Sequence, residues 1–272
     1  MYSSTRQTES RFIEDTELTK AEIKRSLSIN RYAAAFIAVA LLYFFSYSAL
    51  EWNNMIRFPM GSVVYWMDVF YIPSFSPRDL LPLAAALPYV SSVSDDLDSR
   101  GMYQVLTRSS LHSFSFSRFL TASLSGGLVL ALARLMLILV LLWRLPFSHS
   151  GSSVFNMSYL LLMIEHQSIG LYLLSQCVFQ FMIGFWSAGF SLSVAVLTNR
   201  RGVIYTFVTF MLLILSQIVG FPLLDFFSGV SSYFQDPAPA HQAHLLIIGI
   251  GAALSILSYS VFYLSLKRRV YE

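Results

Sequence analysis

Residues 119–143 read FLTASLSGGLVLALARLMLILVLLW, and Arg134 is the one charged side chain in that block. A helix of this length, at ~1.5 Å rise per residue, covers a hydrocarbon core of roughly 30 Å. Lipid offers the backbone no partners, so a block of this kind is expected to close its own hydrogen bonds as a transmembrane helix. The rest of the chain repeats the theme. Its 272 residues are 56% hydrophobic and 12% charged, about half the charge of an ordinary soluble domain. The expected fold class is an all-α polytopic membrane protein: six transmembrane helices, an N-terminal interfacial helix and both termini cytoplasmic.

The six blocks fall at 32–50, 80–94, 119–143, 171–196, 203–222 and 245–266. Of the 18 Lys and Arg residues, fourteen lie in the segments that share a side with the N-terminus: 1–31, 95–118, 197–202 and the stretch after 266. Arg57, Arg78 and Arg144 lie on the other side, and Arg134 lies within a block. This asymmetry orients the basic side toward the cytoplasm. It also accounts for the net charge of +3 without nucleic acid as a partner. The expected location is the cell membrane of a bacterium, crossed several times, with membrane lipids as neighbours.

The second block is the short one. Asp79 and Asp95 bracket it, leaving about 22 Å of helix at ~1.5 Å per residue, and Pro82 and Pro88 interrupt it. A re-entrant pair of half-helices here would make the number of crossings odd and put Lys267, Arg268 and Arg269 outside, so six crossings are retained. Before the first block, Phe12, Thr16, Ile23 and Leu27 share one side of a helix with Lys20, Lys24 and Arg25 around the rim, the pattern of a helix lying on the inner surface. Residues 51–79 carry Trp52, Tyr65, Trp66 and Tyr71, suited to the interface belt. Residues 154–166 read as a helix at the outer surface, and 221–244 as an outer re-entrant segment broken by Pro and Gly. The organisation is a single transmembrane domain over 1–272, with 1–30 as the interfacial helix and 94–118 as a cytoplasmic loop.

Chemistry of the enzymatic kind is hard to place. A phosphate loop needs Gly-Lys before Ser or Thr, but Lys20, Lys24 and Lys267 follow Thr19, Ile23 and Leu266. His241 and His244 stand one turn apart, short of the three or four ligands of a metal site, and read as polar residues at a helix start. Glu165-His166 lacks a nucleophile in a strand–turn–helix setting, and SLSGG at 123–127 sits in a block with no evident partner. No catalytic, cofactor or metal residues are expected, and the chain is not expected to be an enzyme. Gly184 with Ala188, and Gly249 with Ala253, are small residues four apart that permit close helix contact. The TNRRG turn at 198–202 reads as a positive-inside anchor. Arg134 is the exception. At the bilayer centre it costs about 2.5–3.5 kcal/mol on insertion scales, so it is expected to face a path or subunit interface, to pair with an acid such as Glu51, Glu165 or Asp225, or to snorkel toward the outer face.

Between the second and third blocks the sequence turns polar: SVSDDLDSRGMYQVLTRSS, residues 92–110. Asp95, Asp96 and Asp98 precede a short helical pattern, where anionic groups favour the N-terminal end. Met102, Tyr103 and Leu106 then form an apolar patch at helical spacing, suited to docking in a soluble partner's groove or to resting on the membrane. With Arg118-Phe119 and LTASLSGG after it, this order resembles that of the membrane subunits (permeases) of type 2 ABC exporters. There an acidic stretch, a Gly and a short coupling helix link spans two and three. The present chain differs in having Asp98 where Glu is common and Met102 where a Thr often follows the Gly. The resemblance covers the layout of nearly the whole chain.

That resemblance implies a dimer of permeases, identical or paired with a paralogue, bound to two cytoplasmic ABC ATPase subunits. ATP and Mg would be bound by those partners, and none by this chain. Asp98, Gly101, Met102, Tyr103, Leu106 and Arg108 would couple ATPase closure to opening of a path between permeases. The N-terminal helix and Arg200-Arg201 would add to the docking surface. The implied function is export of an amphipathic or hydrophobic cargo such as a peptide, lipid or drug. The alternative is a self-sufficient secondary transporter or channel, which would show coupling acids within spans or an inverted repeat.

Overall fold

The computed structural model describes Lys20, Lys24 and residues 29–46, 80–89, 110–145, 169–198 and 240–271. The described residues are all-helical, with no strand. The helices are α1 (Ile29–Ser46), α2 (Leu81–Ala86), α3 (Leu111–Arg144), α4 (Ile169–Thr198) and α5 (Ala240–Tyr271). Two of them are long and apolar enough to cross a membrane: α3 over Leu111–Trp143 and α4 over Gln176–Thr198. Lys20 and Lys24, on the expected interfacial helix, are helical and exposed.

α3 starts at Leu111 rather than at 119. Ser110 is its N-cap, with extended backbone and a side chain that accepts from the Ser113 N–H at 3.1 Å. That satisfies one of the first-turn donors, so helix propagates through LHSFSFSR although those residues read as loop by hydropathy. α3 is then 34 residues, about 51 Å at ~1.5 Å each. Arg118, counted by sequence among the loop cations, is therefore a helical residue of α3, and it is 2% exposed. α4 contains the whole of the expected 171–196 and runs two residues beyond it at each end. α5 exceeds 245–266 at both ends and carries His241 and His244 in its first turns. Of the expected second span, Leu81–Ala86 is helical with Pro82 near its start, where a missing N–H is harmless. A turn follows over 87–89, and the remainder of that span lies outside the described residues, as do the 203–222 span and segments 51–79, 154–166 and 221–239.

α4 is the hub, packed on α3, α5 and α2, and it meets α3 most extensively. The reason is the absence of side chains at the seam. A Cβ built on Gly126 would come within 2.7 Å of the Ala85 carbonyl and 2.8 Å of that of Gly184, and one on Gly184 would strike the Gly126 backbone. A Cβ on Gly189 would press on Ser123 Oγ and the Phe119 ring, each under 3 Å. Gly126 of SLSGG thus finds its partners in Gly184 and Ala188, the small pair read from sequence as permitting close approach. α3, α4 and α5 bring the start of α3 together with the ends of α4 and α5: Ser115 Oγ lies 3.3 Å from the Tyr259 hydroxyl, and an Arg269 guanidinium N–H donates to the Leu197 carbonyl at 3.4 Å.

Candidate functional site

Two places in the fold concentrate polar chemistry. The first is at the start of α3, where Ala86 and Tyr89 from the α2 end, Phe114, Phe119 and Ala122 from α3, Leu192, Ala195 and Val196 from α4, and Phe262 and Leu266 from α5 form one buried cluster. Arg118 enters it from α3. Its guanidinium carbon lies 5.0 Å from the Phe114 ring centroid and 5.8 Å from that of Tyr89, distances at which a cation is drawn to the ring faces. The Arg118 side chain thereby ties the last residue described before the polar insert to the helix that follows it. On the α5 side, Tyr259 meets Phe116 and Phe119 edge-on at 6.0 and 5.4 Å. His112 lies edge-on to both Tyr259 and Tyr263. Aromatic pairs in this geometry are worth about 0.5–1.5 kcal/mol beyond their area.

The second place is deep in the bundle. Arg134 of α3 is fully buried, at 0% exposure. Its terminal N–H donates to Gln176 Oε1 of α4 at 3.2 Å, and its guanidinium carbon lies over the Tyr43 ring of α1, 5.7 Å from the centroid. Gln176 and Gln180, one helical turn apart, are both buried, and Cys177 beside them is half-buried. An arginine side chain is not deprotonated in proteins, even in so apolar a place. The site is therefore a fixed positive charge and cannot serve as a proton relay. What it does chemically is hold three helices through one planar group.

The sequence-derived coupling residues Asp98, Gly101, Met102, Tyr103, Leu106 and Arg108 lie outside the described residues, as do the acids Glu51, Glu165 and Asp225 weighed as partners for Arg134. The structure does describe both flanks of the insert, Tyr89 and Ser110. Arg134 is the expected site residue it places, and Gln176, Tyr43 and Arg118 are additions. A signal for Gln176 existed: two amides one turn apart within an apolar block deserve the same suspicion as an intramembrane charge. Tyr43 carried no such mark. Arg118 was noted only as the basic residue entering the third block, and the loop reading of the residues before it gave no sign of its burial. Comparison with protein-family models, with curated proteins and with solved structures finds no match for this chain.

Proposed function

We propose that this chain is the membrane-spanning permease subunit of an ABC exporter, a multi-pass protein that moves an amphipathic or hydrophobic cargo with ATP hydrolysed by a separate subunit. The observation that carries the reading is the polar insert and what its two ends are fastened to. Residue 89 before it and residue 114 after it belong to one buried cluster shared by α2, α3, α4 and α5, with Arg118 lying between their rings. A force applied to the stretch from 90 to 109 is delivered into that cluster and reaches four helices together. This is what a handle for an external motor requires, and the chain carries no phosphate loop of its own. The apolar patch of Met102, Tyr103 and Leu106 is the surface such a motor would grip, with Asp98, Gly101 and Arg108 around it.

The test is purification of the tagged full-length chain from its host in mild detergent, with identification of stoichiometric partners. The expected result is a co-purifying cytoplasmic ATPase that is lost in Tyr103→Asp and Leu106→Asp. A chain that comes down alone, under conditions that preserve a known ABC complex, would count against the reading and favour a self-sufficient carrier built around Arg134.

A further inference from the structure

The helices of this bundle are not held together uniformly. α3 and α4 meet backbone to backbone: no methyl group fits at Gly126 or Gly184 without striking a carbonyl of the other helix. α1 is attached in another way. Its buried side chains form one narrow stripe, Ala35, Val39 and Tyr43, while Ile37, Leu41, Phe44 and Phe45 are exposed. Between α1 and α3 runs an apolar groove of about 120 Å³, with Ala40, Tyr43 and Phe44 on one wall and Ala133, Met136 and Leu137 on the other. That is on the order of the ~150 Å³ that holds a benzene molecule in an engineered cavity. So α3 leaves no room for a methyl group on one side and room for a small ring on the other. α1 packs on α3 and on the short α2; at the edge of the groove its polar tie to the α3–α4 pair is Tyr43, whose ring lies under Arg134, and Arg134 in turn donates to Gln176 of α4.

We propose that α1 is the moving part of this molecule and that the Tyr43–Arg134–Gln176 chain is the latch fastening it to a rigid α3–α4 pair. Close-packed interfaces resist sliding because any displacement drives atoms into one another, and they change by jumping between discrete arrangements. The glycine seam is such an interface. The groove gives α1 the slack the seam denies α4. The latch suits release, because a ring and a planar guanidinium can part without breaking a backbone hydrogen bond. Arg134 is here a positioning residue that acts through Tyr43. The inference rests on packing alone and stands independently of the permease reading.

The experiment uses the full-length protein with Cys177→Ser, reconstituted in lipid nanodiscs and spin-labelled at exposed sites. One pair, at Phe45 and Trp143, reports α1 against α3; the other, at Trp143 and Leu174, reports α4 against α3. Distances are read by double electron–electron resonance. The expected result is a broader distribution for the α1 pair, widened at least twofold by Tyr43→Leu or Arg134→Met and restored by Tyr43→Phe, which keeps the ring. The α4 pair stays narrow throughout. The proposal is overturned if Tyr43→Leu leaves the α1 distribution unchanged, if both pairs widen alike, or if Tyr43→Phe acts as Tyr43→Leu does. Should Arg134→Met fail to fold, the two Tyr43 variants decide the matter.

Discussion

A buried arginine is costly to place in an apolar bundle, and Arg134 shows how the cost is met. Its guanidinium is planar, with donors in a fixed fork and faces that stack on rings. It uses a fork position on Gln176 and a face on Tyr43. A lysine ammonium could make either contact but lacks the flat fork and stacking face that make both from one group. Hydrogen bonds to charged groups contribute about 1.5–3 kcal/mol in soluble proteins, whereas within membranes side-chain pairs average nearer ~0.6. Gln176→Leu is therefore expected to destabilise by about 1–2 kcal/mol, read as a lower midpoint of thermal unfolding in mild detergent. Arg134→Lys should cost at least as much although it keeps the charge. If the Lys variant matched the parent protein, charge rather than shape would be what the site requires. That Arg134 would need company was legible in the sequence; that the company is Gln176, 42 positions away, and Tyr43 on a third helix was not, because nothing local links them.

Among the elements, the glycine seam and the N-cap yield predictions of opposite character. Gly126→Val forces atoms into the Ala85 and Gly184 carbonyls, and overpacking of this kind costs about 1–3 kcal/mol or more. Gly249, in the interior of α5, has nothing within 4 Å of an added Cβ. Gly249→Ala should therefore stabilise by about 0.5–1 kcal/mol through the helix propensity of alanine. Thermal unfolding of the two variants side by side should give shifts of opposite sign. Ser110→Ala removes the cap of α3 and is expected to cost about 1 kcal/mol, with loss of helical circular dichroism confined to the first turns. The sequence located α4 to within a couple of residues because no charged residue interrupts it. It placed the start of α3 too late, since LHSFSFSR contains serines, a histidine and an arginine that hydropathy scores as solvated. In the fold, Ser115 donates to its own helix at the His112 carbonyl, and Arg118 lies between rings. Ser115, Ser117 and Arg118 are buried there, and no single-residue scale distinguishes a buried polar residue from an exposed one.

For the molecule as a whole, the contacts fix which helix ends lie together. Residues at the start of α3 meet Tyr259 and Tyr263 of α5, and the end of α5 reaches the end of α4. Single cysteines placed in a Cys177→Ser background at Ser110 and Tyr271 should thus react with an impermeant maleimide from the same side of the membrane, and one at Trp143 (82% exposed) from the other. The basic residues predict that the shared side is the cytoplasm; labelling of intact cells at 110 or 271 would refute that orientation. The hydroxyls of the bundle have a bearing on how it is made. Ser187, Ser191, Ser193 and Thr198 of α4 and Ser255, Ser258, Ser260 and Ser265 of α5 each donate to a carbonyl three or four residues earlier in their own helix. A hydroxyl occupied in this way asks for no partner on a neighbouring helix; Ser193, which also donates to the Ser258 carbonyl of α5 at 2.7 Å, is the exception. A helix with most of its hydroxyls closed on its own backbone carries little polar cost before it packs, and can then find its neighbours by shape.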